Sequence, residues 1–256
     1  MVEVFRLIHN HRPQPPTPSY DAVKTDSSNI FKPDMGKTPE IESSKPQYHV
    51  GAKLLFGSYP YEADGEKKKL EWKILAVEKD RMLIITQDLI ECAPYNKDYK
   101  AVTWESCTLR KWMNGEFMDV AFDEKEKSRI VSVINSNPDN KTYETKDGRK
   151  TEDRVFALSI DEVRQYFKNS SYRVAAPTPY VEKAYEGRVY ISDKYKVNGR
   201  RTGWWWLRSP GFLSHSAALV LIVGVVYESG DTVDDSAGSV RPALWLNLQS
   251  EIFKSI

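Results

Sequence analysis

His215 stands among Ser209, Ser214 and Ser216, a grouping of residue types that form nucleophile–base pairs. Such a pair needs the serine on a sharp turn that exposes its hydroxyl, and the glycine-flanked nucleophile pattern is missing around all three. The other histidines, His9, His11 and His49, lie far toward the amino terminus. Asp231, Asp234 and Asp235 sit close together, but a Ca²⁺ loop draws about six to eight oxygens from a longer alternating set. They read as a solvated acidic turn. Cys92 and Cys107 lack the close spacing of zinc ligands and read as two buried thiols rather than a disulfide. No phosphate-cradling or dinucleotide-binding glycine motif occurs. No catalytic residue, metal site or cofactor is expected, and what remains is recognition.

Two segments stand out as framework. Gly203–Gly211 reads GWWWLRSPG, and Ser239–Leu248 reads SVRPALWLNL. Trp204, Trp205 and Trp206 on a strand must point to alternate faces, so they pack on two sides. One face is expected in the core and the other against a helix or the amino-terminal arm. Arg208 and Arg241 lie in otherwise apolar surroundings, where a carboxylate or carbonyl partner would let them brace the frame. Anion binding is the competing role for both.

Between these segments, residues 212–238 are apolar for a glycine-punctuated stretch and contain no Lys, Arg, Gln, Met or Trp. Val220, Val226, Val233 and Val240 recur with Gly224, Gly230 and Gly238 between them, as in short strands whose valines face inward. The positions left to face outward are Leu213, Ser214, His215, Leu219, Leu221, Ile222, Val225, Tyr227, Ser229, Asp231, Thr232, Asp234 and Asp235. Outward aliphatic and aromatic side chains would make an exposed patch of the kind that marks interaction sites. The same pattern fits a central strand buried on both faces over Leu219–Val226, and the residues leave these two readings open.

The elements that must hold this insert begin near Val50. Leu54–Pro60 reads as a strand, and Leu70–Val77 with Arg81–Thr86 as a hairpin. Thr103 is placed to cap a helix running to about Met113, with Trp104, Thr108 and Trp112 on one face and Asn114-Gly115 ending it. Asp123–Ile130 reads as a short capped helix. Residues 136–153 are polar, carry Asn137-Pro138 and Asp147-Gly148 turn signals, and read as a surface loop. Ser159 and Glu162 form a capping box for a helix to about Phe167. Thr178-Pro179 opens a further short helix closed by Gly187. Strands and turns follow, so the fold class is α+β.

A chain of 256 residues with 40% hydrophobic and 29% charged content suits one large domain plus a tail. Residues 1–48 hold half of the fourteen prolines and no tryptophan, and read as an extended arm or linker; residues 49–256 form the domain, with the variable segment at about 212–238. A net charge of +1 draws in neither nucleic acid nor an anionic membrane. The longest apolar runs are too short to span a bilayer, and no signal peptide is visible. Both surface display and a cytoplasmic location fit, and an oligomer is compatible with the sequence.

The motifs WWLRSPG (Trp205–Gly211) and VRPAL (Val240–Leu244), with Ala217-Ala218 and the valine–glycine skeleton between them, resemble a bacterial domain family of unknown function. Phe56–Pro60, Glu71-Trp72, Thr103-Trp104, Leu109–Trp112 and Phe156–Glu162 also match, so the resemblance covers about residues 50–248. Members are similar to C-type-lectin folds, distantly to formylglycine-generating enzymes, and some resemble the variable proteins of diversity-generating retroelements. In those systems adenine mutagenesis turns AAY codons into NNY, which cannot encode Lys, Gln, Glu, Met or Trp. Residues 211–239 break that exclusion only at Glu228. With 37 Lys and Arg in 256 residues, ordinary composition would place about four in that window, and none occurs.

The resemblance implies a C-type-lectin-like scaffold displaying a hypervariable surface, not an enzyme, whose partner is a macromolecule and in the first instance a protein. Trp205, Trp206, Arg208 and Arg241 are then framework. The alternatives are a fixed interaction or cell-envelope module and an enzyme related to formylglycine generation. The tail has no cysteine to support the last.

Overall fold

The computed structural model describes residues 48–249. The chain divides into two units, residues 1–43 and 44–256, and every described residue lies in the second. The expected arm therefore falls outside the described residues, apart from Tyr48.

The elements follow in chain order. Strands β1 (Lys53–Pro60), β2 (Lys67–Val77), β3 (Arg81–Thr86) and β4 (Glu91–Cys92) come first. Helices α1 (Thr108–Asn114), α2 (Glu116–Ala121) and α3 (Glu124–Arg129) follow, then β5 (Ile130–Val131), β6 (Val133–Asn135), β7 (Thr151–Asp153) and β8 (Val155–Phe156). After α4 (Ile160–Tyr166) come a 3-10 turn (Ser170–Tyr172), α5 (Pro179–Ala184), β9 (Ile191–Val197) and β10 (Arg200–Gly203). The carboxy-terminal strands are β11 (Trp205–Pro210), β12 (Ser216–Val220), β13 (Val226–Thr232), β14 (Ser239–Val240) and β15 (Ala243–Asn247).

Two sheets dominate. One runs β1-β2-β3-β15-β5, with β8 also paired to β15, and the other runs β13-β12-β11-β14-β4. Pairing is antiparallel except between β11 and β14. The expected α+β class holds, with short helices and mostly antiparallel strands. The insert is thus one strand, β12, and one edge strand, β13, added to framework strand β11.

The short helices start where side chains satisfy their free amides. Asp123 with Glu126 and Ser159 with Glu162 form the two capping boxes of α3 and α4. Thr178 caps α5, with Pro179 in its first turn. The first helix begins later than its sequence implied. Thr103 closes a tight turn instead, accepting from the amides of Ser106 and Cys107, and the cap of α1 is Cys107. Trp104 lies in that turn because its indole donates to Asp153 (3.1 Å) and is fully buried there.

All three consecutive tryptophans are buried in one continuous core. Trp204 and Trp206 meet edge to face at 4.7 Å, while Trp205 points to the other side beneath the Arg241 guanidinium. Each inner indole finds a carbonyl: Trp205 donates to Arg173 O and Trp206 to Ala93 O. Cys92 and Cys107 are buried free thiols. Burial drives both thiols up to about 12, which keeps them protonated and unreactive.

The candidate binding surface

β12 is buried along its whole length, so Leu219 is only 3% exposed and belongs to the core. This corrects its outward assignment. Its cause is the packing: Leu219 pairs with Trp206 of β11 and both side chains lie in the core, whereas its other partner, Tyr227 on the edge strand, reaches solvent. The doubly buried strand exists but ends at Val220. Leu221–Val225 is a turn, in which Leu221 N donates to Val225 O and Gly224 N to Leu221 O. Gly224 has φ +78, and a Cβ there would fall 1.9 Å from Ser170 O, so only glycine closes this hairpin against the 3-10 turn.

The remaining twelve candidate positions reach the surface. Leu213, Ser214, Val225, Tyr227, Asp231, Thr232 and Asp234 are exposed, Tyr227 at 46%. His215, Leu221, Ile222, Ser229 and Asp235 are half-buried. Val220, Val233 and Val240 face the core as the valine skeleton implied, while Val226 is half-buried against it. Four residues separate the paired Ser216–Thr232 from the paired Val220–Val226, so the two ends of the surface lie about 13 Å apart along the strands.

The insert is held chiefly through its main-chain carbonyls. Val102 N donates to Ser214 O (3.0 Å), Asn96 N to Val233 O (2.7 Å) and Ala93 N to Gly238 O (2.8 Å). The Asn140 side-chain amide donates to Pro210 O (2.9 Å) and Glu228 O (3.0 Å), and Thr145 Oγ1 to Phe212 O (2.9 Å). Arg173 reaches Gly224 O (3.5 Å). A carbonyl is present whatever side chain its residue carries, so these bonds do not depend on the identity of the displayed residue.

Glu228 differs. Its carboxylate accepts from Thr142 Oγ1 (2.6 Å) and pairs with Arg164. The Thr142 hydrogen bond, then the Arg164 charge, hold its carboxyl below the usual range. The one residue of the insert that an NNY codon cannot encode is therefore a clamp between the surface and the 136–147 loop.

The expected 136–153 loop is a loop only to residue 150, since Thr151–Asp153 forms β7 against β6, and its polar residues are not simply solvated. Asn137, Asn140 and Asp147 are buried, flanked by the β6–β7 pair. Asp147 accepts from Trp104 N at 3.4 Å, and its second oxygen has no partner among the described residues. Burial pushes its carboxyl up to about 7, against the pull of Arg208. Asn140 and Asn137 are residues that sequence reasoning passed over, because nothing in a polar run marks which amides turn inward.

Both framework arginines brace the fold. Arg208 is forked onto Glu162, donates to Ala157 O (3.0 Å), Ser136 O (3.2 Å) and Asn137 Oδ1 (3.2 Å), and is itself buried. Among the described residues Arg241 has no carboxylate within ion-pair distance; it donates to Thr86 O (2.9 Å), Arg173 O (2.9 Å) and Gln87 O (3.4 Å). Complete burial draws its guanidinium down to about 10, leaving it charged at neutral pH. Among the described residues no group of three or more His, Cys, Asp or Glu is arranged to hold a metal, and no helix is long and apolar enough to cross a membrane.

A family model described as a domain of unknown function, DUF6273, matches residues 79–248. The chain belongs to this family. The match takes in β3, helices α1 to α5, both framework segments and the whole insert, so the surface described above lies inside the DUF6273 domain. No curated protein and no solved structure matches the chain.

Proposed function

We propose that this DUF6273 domain is a non-enzymatic binding protein whose insert is a display surface on a C-type-lectin-like scaffold, and that it is the diversified protein of a diversity-generating retroelement. The observation that carries this reading is the anchoring of the insert by its carbonyls while its side chains at Leu213, Ser214, Val225, Tyr227, Asp231, Thr232 and Asp234 face solvent. A surface built in this way keeps its backbone when its side chains change, as a paratope does. The position of Glu228 supports the same reading, since the codon exception falls on a clamped residue.

Part of the missing charge in residues 211–239 has a simpler cause: β12 is core and would exclude Lys and Arg in any domain. Only the lack of Lys and Arg at the exposed positions therefore bears on codon use. The partner is a macromolecule, with protein favoured because Tyr227 and the aliphatic turn offer anchors that suit a protein surface.

The test is the gene's neighbourhood and population. The reading expects an adenine-rich near-copy of the codons for residues 205–245 beside a reverse transcriptase gene, differing at the exposed positions and identical at Trp205, Arg208, Leu219 and Glu228. A locus without such a repeat leaves a fixed interaction module and removes diversification.

A further inference from the structure

The turn at Phe212–His215 is bracketed by two tyrosines from outside the insert. Tyr143 meets Phe212 edge to face at 5.0 Å, and Tyr99 meets His215 edge to face at 4.7 Å. Rings so packed are ordinarily buried, yet here Tyr99 is 59% exposed, Phe212 54% and Tyr143 38%, with Leu213 exposed between them. The backbone beneath is fixed. Thr145 and Val102 hold the carbonyls of Phe212 and Ser214, and Ser216 Oγ accepts from Leu213 N (2.8 Å) and donates to Leu213 O (2.9 Å). A rigid, solvent-facing aromatic cluster costs little entropy on binding.

The charges around it are unequal. Val233 N donates to His215 O (3.0 Å), which sets Thr232–Asp234 alongside the turn. Among the described residues Asp231 and Asp234 have no cation within ion-pair distance. The nearby lysines are already neutralised: Lys100 by Asp98, Lys146 by Asp139 and Lys141 by Asp161. Lys97 instead lines a separate cleft with Trp112 and Lys111. Lys97 makes no ion pair among the described residues, and the two carboxylates Asp231 and Asp234 outnumber it on this side of the turn.

We propose that Tyr99, Tyr143 and the Phe212–His215 turn, together with Asp231 and Asp234, form one docking face for a protein segment that presents an apolar anchor flanked by lysine or arginine. The inference rests on the display reading and narrows it: the rings give the anchor its seat, the two carboxylates select a cationic rim, and two tyrosines outside the variable insert become fixed parts of the site. Leu221, Ile222 and Val225, at the far end of β12 and β13, are not part of this face.

The experiment pans a phage-displayed random peptide library on the full chain, then measures a synthesised consensus peptide by fluorescence anisotropy against three variants. These are Tyr99→Ala with Tyr143→Ala, Asp231→Asn with Asp234→Asn, and Val225→Asn with Tyr227→Asn, each first shown to keep the wild-type melting temperature. The expected peptides carry an aromatic or aliphatic residue flanked by Lys or Arg. They should bind about tenfold or more weakly to each of the first two variants, as loss of a hot spot requires, and lose less to the third, whose residues belong to the display surface but lie outside this face. Raised salt should weaken binding to wild type more than to the Asp variant. A library that enriches no peptide, or only acidic or uncharged ones, overturns the proposal. Binding that follows only the Val225/Tyr227 variant overturns this face and leaves the display reading standing. Binding indifferent to all three variants overturns both.

Discussion

Replacing Asp147 with Asn should remove a specific pH dependence from the stability of this domain. The Asp147 carboxyl is buried beneath the 136–147 loop with one oxygen unpartnered, and burial lifts it from 3.8 to about 7. The charged groups that act on it are Arg208, which favours the carboxylate, and Asp139, which opposes it. The unfolded chain gives up this proton near pH 3.8, while the fold keeps it until about pH 7. Between those values the native state binds more protons than the unfolded state, so stability falls as pH rises and levels off above 7. The full cost is about 4 kcal/mol at 1.36 kcal/mol per pH unit, and about 3 kcal/mol of it develops between pH 5 and pH 8. Urea unfolding of wild type and Asp147→Asn at both pH values measures this directly, because other titrating groups cancel in the difference. Wild type should lose about 3 kcal/mol relative to the variant on going from pH 5 to pH 8. Parallel pH profiles for the two proteins would show that Asp147 does not hold its proton in the fold.

Other perturbations separate frame from surface. Leu219→Ala should cost about 2–5 kcal/mol in urea unfolding, as for a core leucine, whereas Asp234→Asn should stay within about 0.5 kcal/mol. Arg208→Ala strips Glu162 and three further acceptors of their donor and should cost about 3–5 kcal/mol by the same assay. Gly224→Ala places a methyl group against Ser170 O; it should lower the melting temperature and raise hydrogen exchange at Leu221–Val225, with no change in β1–β3.

Much of the frame was legible. The capping boxes at Asp123 and Ser159, the β2–β3 hairpin and the bracing role of Arg208 all follow from local chemistry that acts within a few residues or from a charge in apolar surroundings. What escaped was long-range. Thr103 fits a helix cap, but Trp104 is drawn out of the helix by Asp153, which is 49 residues away. Leu219 sits in the same apolar run as half-buried Leu221 and Ile222, and only its place in β12 beside the buried Trp206 of β11 decides that it is core. Phe212, Tyr99 and Tyr143 are isolated aromatics in polar or turn sequence, and the ring contacts that join them are made across the fold. The 136–153 loop offered no apolar period, so its inward-turned Asn137 and Asn140 left no mark to read.

The insert keeps its backbone independently of the side chains it displays. The most direct measurement encodes Leu213, Ser214, Val225, Tyr227, Asp231, Thr232 and Asp234 together as NNY codons and scores library members for protease resistance, beside a control library that randomises seven buried positions from β11 and β12. Most members of the first library should stay folded, and few of the second. Equal loss of folded protein in both libraries would contradict that independence.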